Sequence, residues 1–256
     1  LALAPRRPGG LLSAAPSAAR SRSRVYGGGV PRLLQRGVIL AGVLLAVLPA
    51  VASAAGGSRD VKILGGAAAA PGQFPWMAAL VDPGYRNAVD GIFCGGTVIA
   101  PRVVLTASHC VTGTKASEIQ VVTGRTRLSR SADGQRIAVT KIVSNPTYNS
   151  KTSLNDLALL QLASPAQVTP LTIAGPADTA IQALNAPVTV SGWGNTSEDG
   201  SVSDELRYVR LHVFSQSACN GYYGGISATK QVCAGSKRAG EDSCQGDSGG
   251  PLSTGT

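Results

Sequence analysis

From Gln73 onward the chain is a succession of short apolar runs broken by Gly, Pro and Asn, and this limits the fold more than any other feature. The runs fall at 76–81, 92–99, 103–107, 119–124, 137–143, 157–162, 188–191 and 206–214. Several are rich in β-branched residues, and turn signals recur between them at short intervals. No long stretch repeats its apolar residues at helical spacing. One helical turn fits at 107–111 and another at 215–222. Many short strands without strand–helix alternation predict an all-β sandwich or barrel. The stretch 164–186 is rich in Pro and Ala and reads as a connector between two strand-rich halves.

The formal charge of +9 invites a nucleic-acid reading, so its location matters. Residues 1–62 hold nine Lys/Arg and one acid; residues 63–256 hold fourteen Lys/Arg and thirteen acids. The body is therefore nearly neutral, which argues against a broad phosphate-binding face. In the leader, Arg32 and Arg36 precede an apolar run, 37–55, that closes on Ala52-Ser53-Ala54. That order matches the basic, apolar and small-residue regions of a secretory signal. A membrane anchor is the competing reading, weakened by Pro49 and the small-residue exit. Arg6-Arg7 lies far upstream for a twin-arginine signal. The predicted organisation is a basic disordered or mis-started extension (1–36), a signal region with its cleavage site (37–54), a short segment (55–62) and one domain (63–256). Export places the five cysteines in an oxidising compartment, where they pair; five leaves one over.

Ser248 sits in Gly246-Asp247-Ser248-Gly249-Gly250-Pro251. A serine hydroxyl becomes nucleophilic when a neighbouring base takes its proton and backbone N–H groups face the developing oxyanion. Glycines on both sides let the backbone turn tightly and approach a substrate. The pattern also fits the nucleophile elbow of α/β hydrolases, but that fold places its acid and histidine after the serine. No Asp, Glu or His follows Ser248. Upstream, His109 follows an apolar strand, whereas His212 lies in an alternating strand and reads as structural or exposed. Asp156 is a polar acid at the mouth of the apolar run 157–162, which reads as a buried strand. Taken alone it would be a strand-start or turn acid; a buried acid is costly unless paired, which suits an acid that orients a histidine.

The order His109, Asp156, Ser248 resembles the chymotrypsin/trypsin family of serine proteases. The matching motifs are Thr-Ala-Ser-His-Cys at 106–110 (with Ser108 where the family usually has Ala), Asn-Asp-Leu-Ala-Leu-Leu at 155–160, Ser-Gly-Trp-Gly at 191–194, 242–251, and Ile-Leu-Gly-Gly at 63–66. The texture is most similar to the bacterial, actinomycete-type members. The resemblance implies two six-stranded antiparallel β-barrels, the second expected to be incomplete because the family continues well past the position of Thr256. It implies Ser248 as nucleophile, His109 as general base and acid, Asp156 as its orienting acid, and the N–H groups of Gly246 and Ser248 as the oxyanion hole, with no metal or cofactor. Asp242, six residues before Ser248, falls at the floor of the family's S1 pocket and implies cleavage after Arg or Lys. An ionised acid in a narrow pocket is best satisfied by an arriving cation. Ser243 and Gln245 would line that pocket and its mouth.

The same resemblance implies a zymogen, with 55–62 as a short activation propeptide ahead of the protease domain, 63–256. Cleavage after Lys62, or less readily after Arg59, would free the Ile63 amine to pair with Asp247. It implies bridges Cys94–Cys110 and Cys219–Cys233, with the partner of Cys244 outside this chain. Protein or peptide substrates, protein inhibitors, a monomeric state, and no nucleic-acid or lasting membrane association complete the expectation. The rivals are a truncated or inactive protease-fold binding module, and an interaction module using the basic leader. Asn195-Thr196-Ser197 fits a glycosylation sequon.

Overall fold

The computed structural model describes residues 66–196, 200–223, 225–237, 243 and 245–255. The leader, Arg59, Lys62, Ile63, Asp242 and Cys244 lie outside the described residues, as does the sequon's Ser197. The described residues all fall in one compact unit, Asp60–Thr256 being its continuous part.

The fold is all-β. Its first lobe is a closed barrel of six antiparallel strands: β2 (Met77–Val81), β3 (Ile92–Ala100), β4 (Val103–Thr106), β5 (Gln120–Thr123), β6 (Gln135–Ser144) and β7 (Ala158–Leu162). The order around the barrel is β2-β3-β4-β7-β6-β5, and β5 closes back onto β2. Register shifts at Leu80/Val81, Val98/Ala100 and Val139/Lys141 are the bulges that let short strands curve into closure. Leu80, Val98, Val104, Val121, Ile137 and Leu160 fill the interior.

Strand β2 shows why the chain forms one body rather than two beads. All five of its residues are buried. Ala78 and Leu80 point into the barrel, while Met77, Ala79 and Val81 belong to a second cluster with Phe74, Trp193 and Leu206. Alternate side chains of one strand thus serve two cores, as the period-2 geometry of a strand permits.

The second lobe is a sheet built on β8 (Pro187–Gly192) and β9 (Arg207–Val213), paired along their lengths. Short strands β1 (Ala67–Ala68) and β11 (Leu252–Ser253) flank them in the order β1-β9-β8-β11, and β10 (Ala234–Gly235) also pairs with β9. Among the described residues this sheet is open. Its inner face carries Val188, Val190, Val209, Leu211 and Val213. The predicted second helical turn is α2 (Gln216–Tyr223). A four-residue helix, α1 (Ala88–Gly91), had no sequence signal beyond Asn87, whose side chain caps it by accepting from the Val89 N–H at 3.1 Å. Four residues are too few for a periodic pattern.

Arg125 is 8% exposed and holds the loop after β5 from inside. Its guanidinium donates to the carbonyls of Asp133 (2.8 Å), Leu128 (2.9 Å) and Ser131 (3.3 Å). Burial, and then the charge of Arg136, lower its pKa, which nevertheless remains that of a cation at neutral pH.

Candidate active site

The histidine is delivered by the end of β4. After Thr106 the chain extends through Ala107 and turns once at Ser108–Cys110, which lifts His109 out of the sheet. Cys110 is bridged to Cys94 on β3, with Cα atoms 6.2 Å apart, so the turn is tied to the barrel wall. The second bridge, Cys219–Cys233, joins α2 to the segment before β10, with Cα atoms 6.4 Å apart. Among the described residues one cluster has the residue types of a metal site: Cys94, His109 and Cys110. Its two sulfurs are joined to each other rather than presented as thiolates.

Asp156 comes from the segment leading into β7. Ser153 and Asn155 adopt φ of 53° and 58°, a left-handed kink that aims the carboxylate at His109. The carboxylate grips the histidine twice. Oδ2 lies 2.7 Å from His109 Nδ1, and Oδ1 accepts the His109 backbone N–H at 2.8 Å. A carboxylate can only accept, so Nδ1 carries the proton, and in the neutral ring Nε2 then holds the lone pair. The Asp156 side chain is 10% exposed and that of His109 43%, which leaves the ring open to a substrate. Burial, and then the Asp156 charge, raise the pKa of the nearby Tyr148 phenol. Strand β7 itself differs from expectation: its apolar run is not wholly buried but alternates, with Leu159 exposed between Ala158 and Leu160.

Ser248 reaches the site from the second lobe, and its loop is stitched to the first. Its carbonyl accepts the Gly95 N–H at 2.8 Å, and Gly250 N–H donates to the Asp247 carbonyl at 2.9 Å. Gly249 has φ +83°, and a side chain there would collide with Thr106 Oγ1 and the Gly95 carbonyl. Thr106 Oγ1 itself donates to that carbonyl at 2.8 Å. The glycine after the serine is therefore required by both conformation and space.

The Asp247 carboxylate is fully buried and accepts the Gly194 N–H at 2.8 Å. Side chains at Gly192 or Gly194 would run into that carboxylate. Trp193 between them is 1% exposed, and its Nε1–H donates to the Thr126 carbonyl at 3.3 Å. The Ser-Gly-Trp-Gly motif is thus the cradle of Asp247. Gln245, exposed, accepts the Asn195 N–H through its carbonyl at 2.6 Å, holding the same loop to β8's exit. His109, Asp156, Ser243 and Ser248 line one cavity of about 590 Å³ between the lobes. His212 stands exposed on the outer face of β9, away from it.

A histidine held by a carboxylate, facing the same cavity as a serine on a glycine-bounded turn, is equipped for acyl transfer. On a two-lobed, disulfide-bonded β protein, that equipment defines a serine endopeptidase. The family model for Trypsin matches residues 63–256, and the chain belongs to that family. It is 39% identical over 190 residues to a trypsin of Saccharopolyspora erythraea, covering 74% of this chain and 81% of that protein. It is 36% identical over 212 residues to a trypsin of Xenopus laevis, covering 82% of each. Trypsin I-P38 of Gallus gallus is 36% identical over 214 residues, again with 82% of each covered.

Sequence reasoning named His109, Asp156 and Ser248 but gave no role to Ser108 and did not single out Tyr148, both of which lie beside Asp156. The departure at Ser108 from the family's usual alanine was visible; what its hydroxyl touches was not.

Proposed function

We propose that this trypsin-family endopeptidase cleaves after Arg or Lys by a Ser248–His109–Asp156 triad. The observation that carries this reading is the 2.7 Å contact from Asp156 to His109 Nδ1, which leaves Nε2 as the base, beside a cavity that Ser248 also lines. Ser248 Oγ attacks the scissile carbonyl carbon while its proton passes to His109 Nε2. The carbonyl oxygen becomes an oxyanion held by the Gly246 and Ser248 N–H groups. Collapse expels the amine, which takes the proton from His109 and leaves an acyl-enzyme. Water then attacks the acyl carbon and gives its proton to His109 Nε2; collapse expels Ser248 Oγ, which takes that proton back as the acid is released.

The preference for basic residues rests on Asp242 with Ser243 and Gln245 beside it, and on relatives named trypsin. The zymogen reading rests on Lys62-Ile63 and on the fully buried Asp247, whose carboxylate would receive the freed amine of Ile63. Ordering of the Asp247 loop by that amine would complete the oxyanion hole. The leader supports export, and protein substrates follow from the family; protein inhibitors and a monomeric state belong to the same reading.

The test uses an Arg or Lys amide substrate, an aromatic analogue and a serine-directed covalent probe. Wild-type enzyme is expected to turn over the basic amide and to be labelled at Ser248, and Ser248→Ala to do neither. The triad assignment fails if Ser248→Ala retains activity. Faster cleavage after aromatic residues would overturn the role of Asp242 alone.

A further inference from the structure

The residue beside the histidine makes a contact that joins the base to the acid by a second route. Ser108 is fully buried, and its Oγ donates to the carbonyl of Leu157 at 2.6 Å. Leu157 immediately follows Asp156. The hydrogen bond therefore runs from the residue before His109 to the residue after Asp156, across 49 positions of sequence, alongside the triad's own contact.

The surroundings make this contact decisive for geometry. Beyond the β4–β7 pairing that leads into it and the Asp156 carboxylate on the His109 N–H, the His109 turn has two anchors. On one side, the Cys110–Cys94 bridge fixes it to β3, a strand that does not carry the acid. On the other, Ser108 fixes it to the acid-bearing segment. The β4–β7 ladder ends at Thr106 and Ala158, and the disulfide reaches only β3; the Ser108 hydroxyl extends the tie past the ladder's end, onto the segment that carries Asp156. The acid is bracketed in the same way. Before it, Asn155 Nδ2 donates to the Thr147 carbonyl at 3.0 Å, and Asn155 Oδ1 accepts Lys230 Nζ at 3.0 Å. After it, the Leu157 carbonyl accepts both the Asn145 N–H at 2.9 Å and the Ser108 hydroxyl. Of these tethers, the Ser108 hydrogen bond is the one that leads to the histidine.

We propose that Ser108 is a positioning residue of the triad: its buried hydroxyl locks the histidine turn to the acid segment and so sets the His109–Asp156 hydrogen bond. It touches neither substrate nor a reacting atom, and acts through that bond. The inference rests on the triad reading above. An alanine at 108 leaves the Leu157 carbonyl its Asn145 partner and the barrel core intact, so the variant folds. The loss is directional: the imidazole gains freedom, and the imidazolium of the transition state is stabilised less.

The experiment compares mature wild type with Ser108→Ala, Ser108→Cys, Thr112→Val and Ser248→Ala, with rates per titrated active site. Thr112 Oγ1 donates to the Ser108 carbonyl at 2.8 Å, so its variant loosens the same turn without touching the hydroxyl. For Ser108→Ala, kcat is expected to fall about 5- to 20-fold with KM within about twofold, because small misplacements of a base are costly. The acidic limb of kcat/KM should move away from that of the wild type, since the contact between His109 and the Asp156 carboxylate is altered. The low-field proton resonance of the His109–Asp156 hydrogen bond should move upfield. Ser108→Cys, a weak donor of similar size, should restore part of the rate, and Thr112→Val should keep the wild-type limb. A Ser108→Ala enzyme with wild-type kcat, limb and resonance overturns the proposal, whatever its thermal stability. An equal shift of the limb in Thr112→Val overturns it too. Activity surviving in Ser248→Ala would instead remove the triad reading on which it stands.

Discussion

In the first lobe β5 returns to pair with β2, so every strand has two neighbours and the interior is enclosed; in the second, the described strands form an open sheet whose inner face borders a cavity. His109 and Asp156 both belong to the enclosed lobe, just after β4 and just before β7, which are hydrogen-bonded neighbours. Ser248 belongs to the other. The difference teaches where precision comes from. The His109–Asp156 contact is set within one closed framework, whereas the Ser248 loop borrows its position from that framework through Gly95 and Thr106. Closed pairing leaves few ways for β4 and β7 to slide, because a slip would break the ladder on both sides and turn side chains to the wrong face.

The largest effect should come from the contact inside the first lobe. In Asp156→Asn the side-chain amide can donate to Nδ1, which traps the ring in the tautomer whose Nε2 is already protonated. kcat should fall on the order of 10⁴-fold, the loss established for chymotrypsin-type triads, with the fold retained. Steady-state kinetics with a circular-dichroism check would decide it; a loss under tenfold would mean that the acid does not set the tautomer.

An intermediate effect should separate the two lobes by core truncation. Leu160 is fully buried inside the barrel, while Leu211, equally hidden, lies on the sheet face that lines the cavity. Leu160→Ala should cost about 3–5 kcal/mol, and Leu211→Ala about 2–3 kcal/mol, because a site beside existing free space leaves less new void behind. Denaturant unfolding of both variants measures the difference. Equal costs would show that the second lobe is as tightly enclosed as the first.

The smallest effect is expected on the outer face of the second lobe. His212→Ala removes an exposed ring from β9 and should change stability by no more than about 0.5 kcal/mol, with kcat/KM unchanged. A large loss of activity there would break the assignment of the base to His109.

Much of this was legible in the residues. The eight apolar runs correspond to β2 through β9, each within a few residues, because a strand that feeds a core alternates or is wholly apolar and turn residues such as Pro101, Gly124 and Asn145 punctuate the runs. Turn and helix signals at 107–111 and 215–222 correspond to the Ser108–Cys110 turn and α2. The short strands β1, β10 and β11 carry no pattern, since two residues have no period. For the site, residue types and their order marked His109, Asp156 and Ser248, and the motif around Trp193 was visible as a string. Its purpose, a cradle of glycines around the Asp247 carboxylate, was not.

The sequence by itself determined the strand periodicity, the disulfide-forming residues and the chemical types available for catalysis. These are local properties, carried by side-chain chemistry and spacing. Only the tertiary structure decided that β2 serves two cores at once, that Asp156 meets His109 both at Nδ1 and at the backbone, and that Ser108 reaches Leu157. Contacts between residues nearly fifty positions apart depend on barrel closure and strand register. Those arise from the summed packing of many side chains, and no single stretch of the chain encodes them.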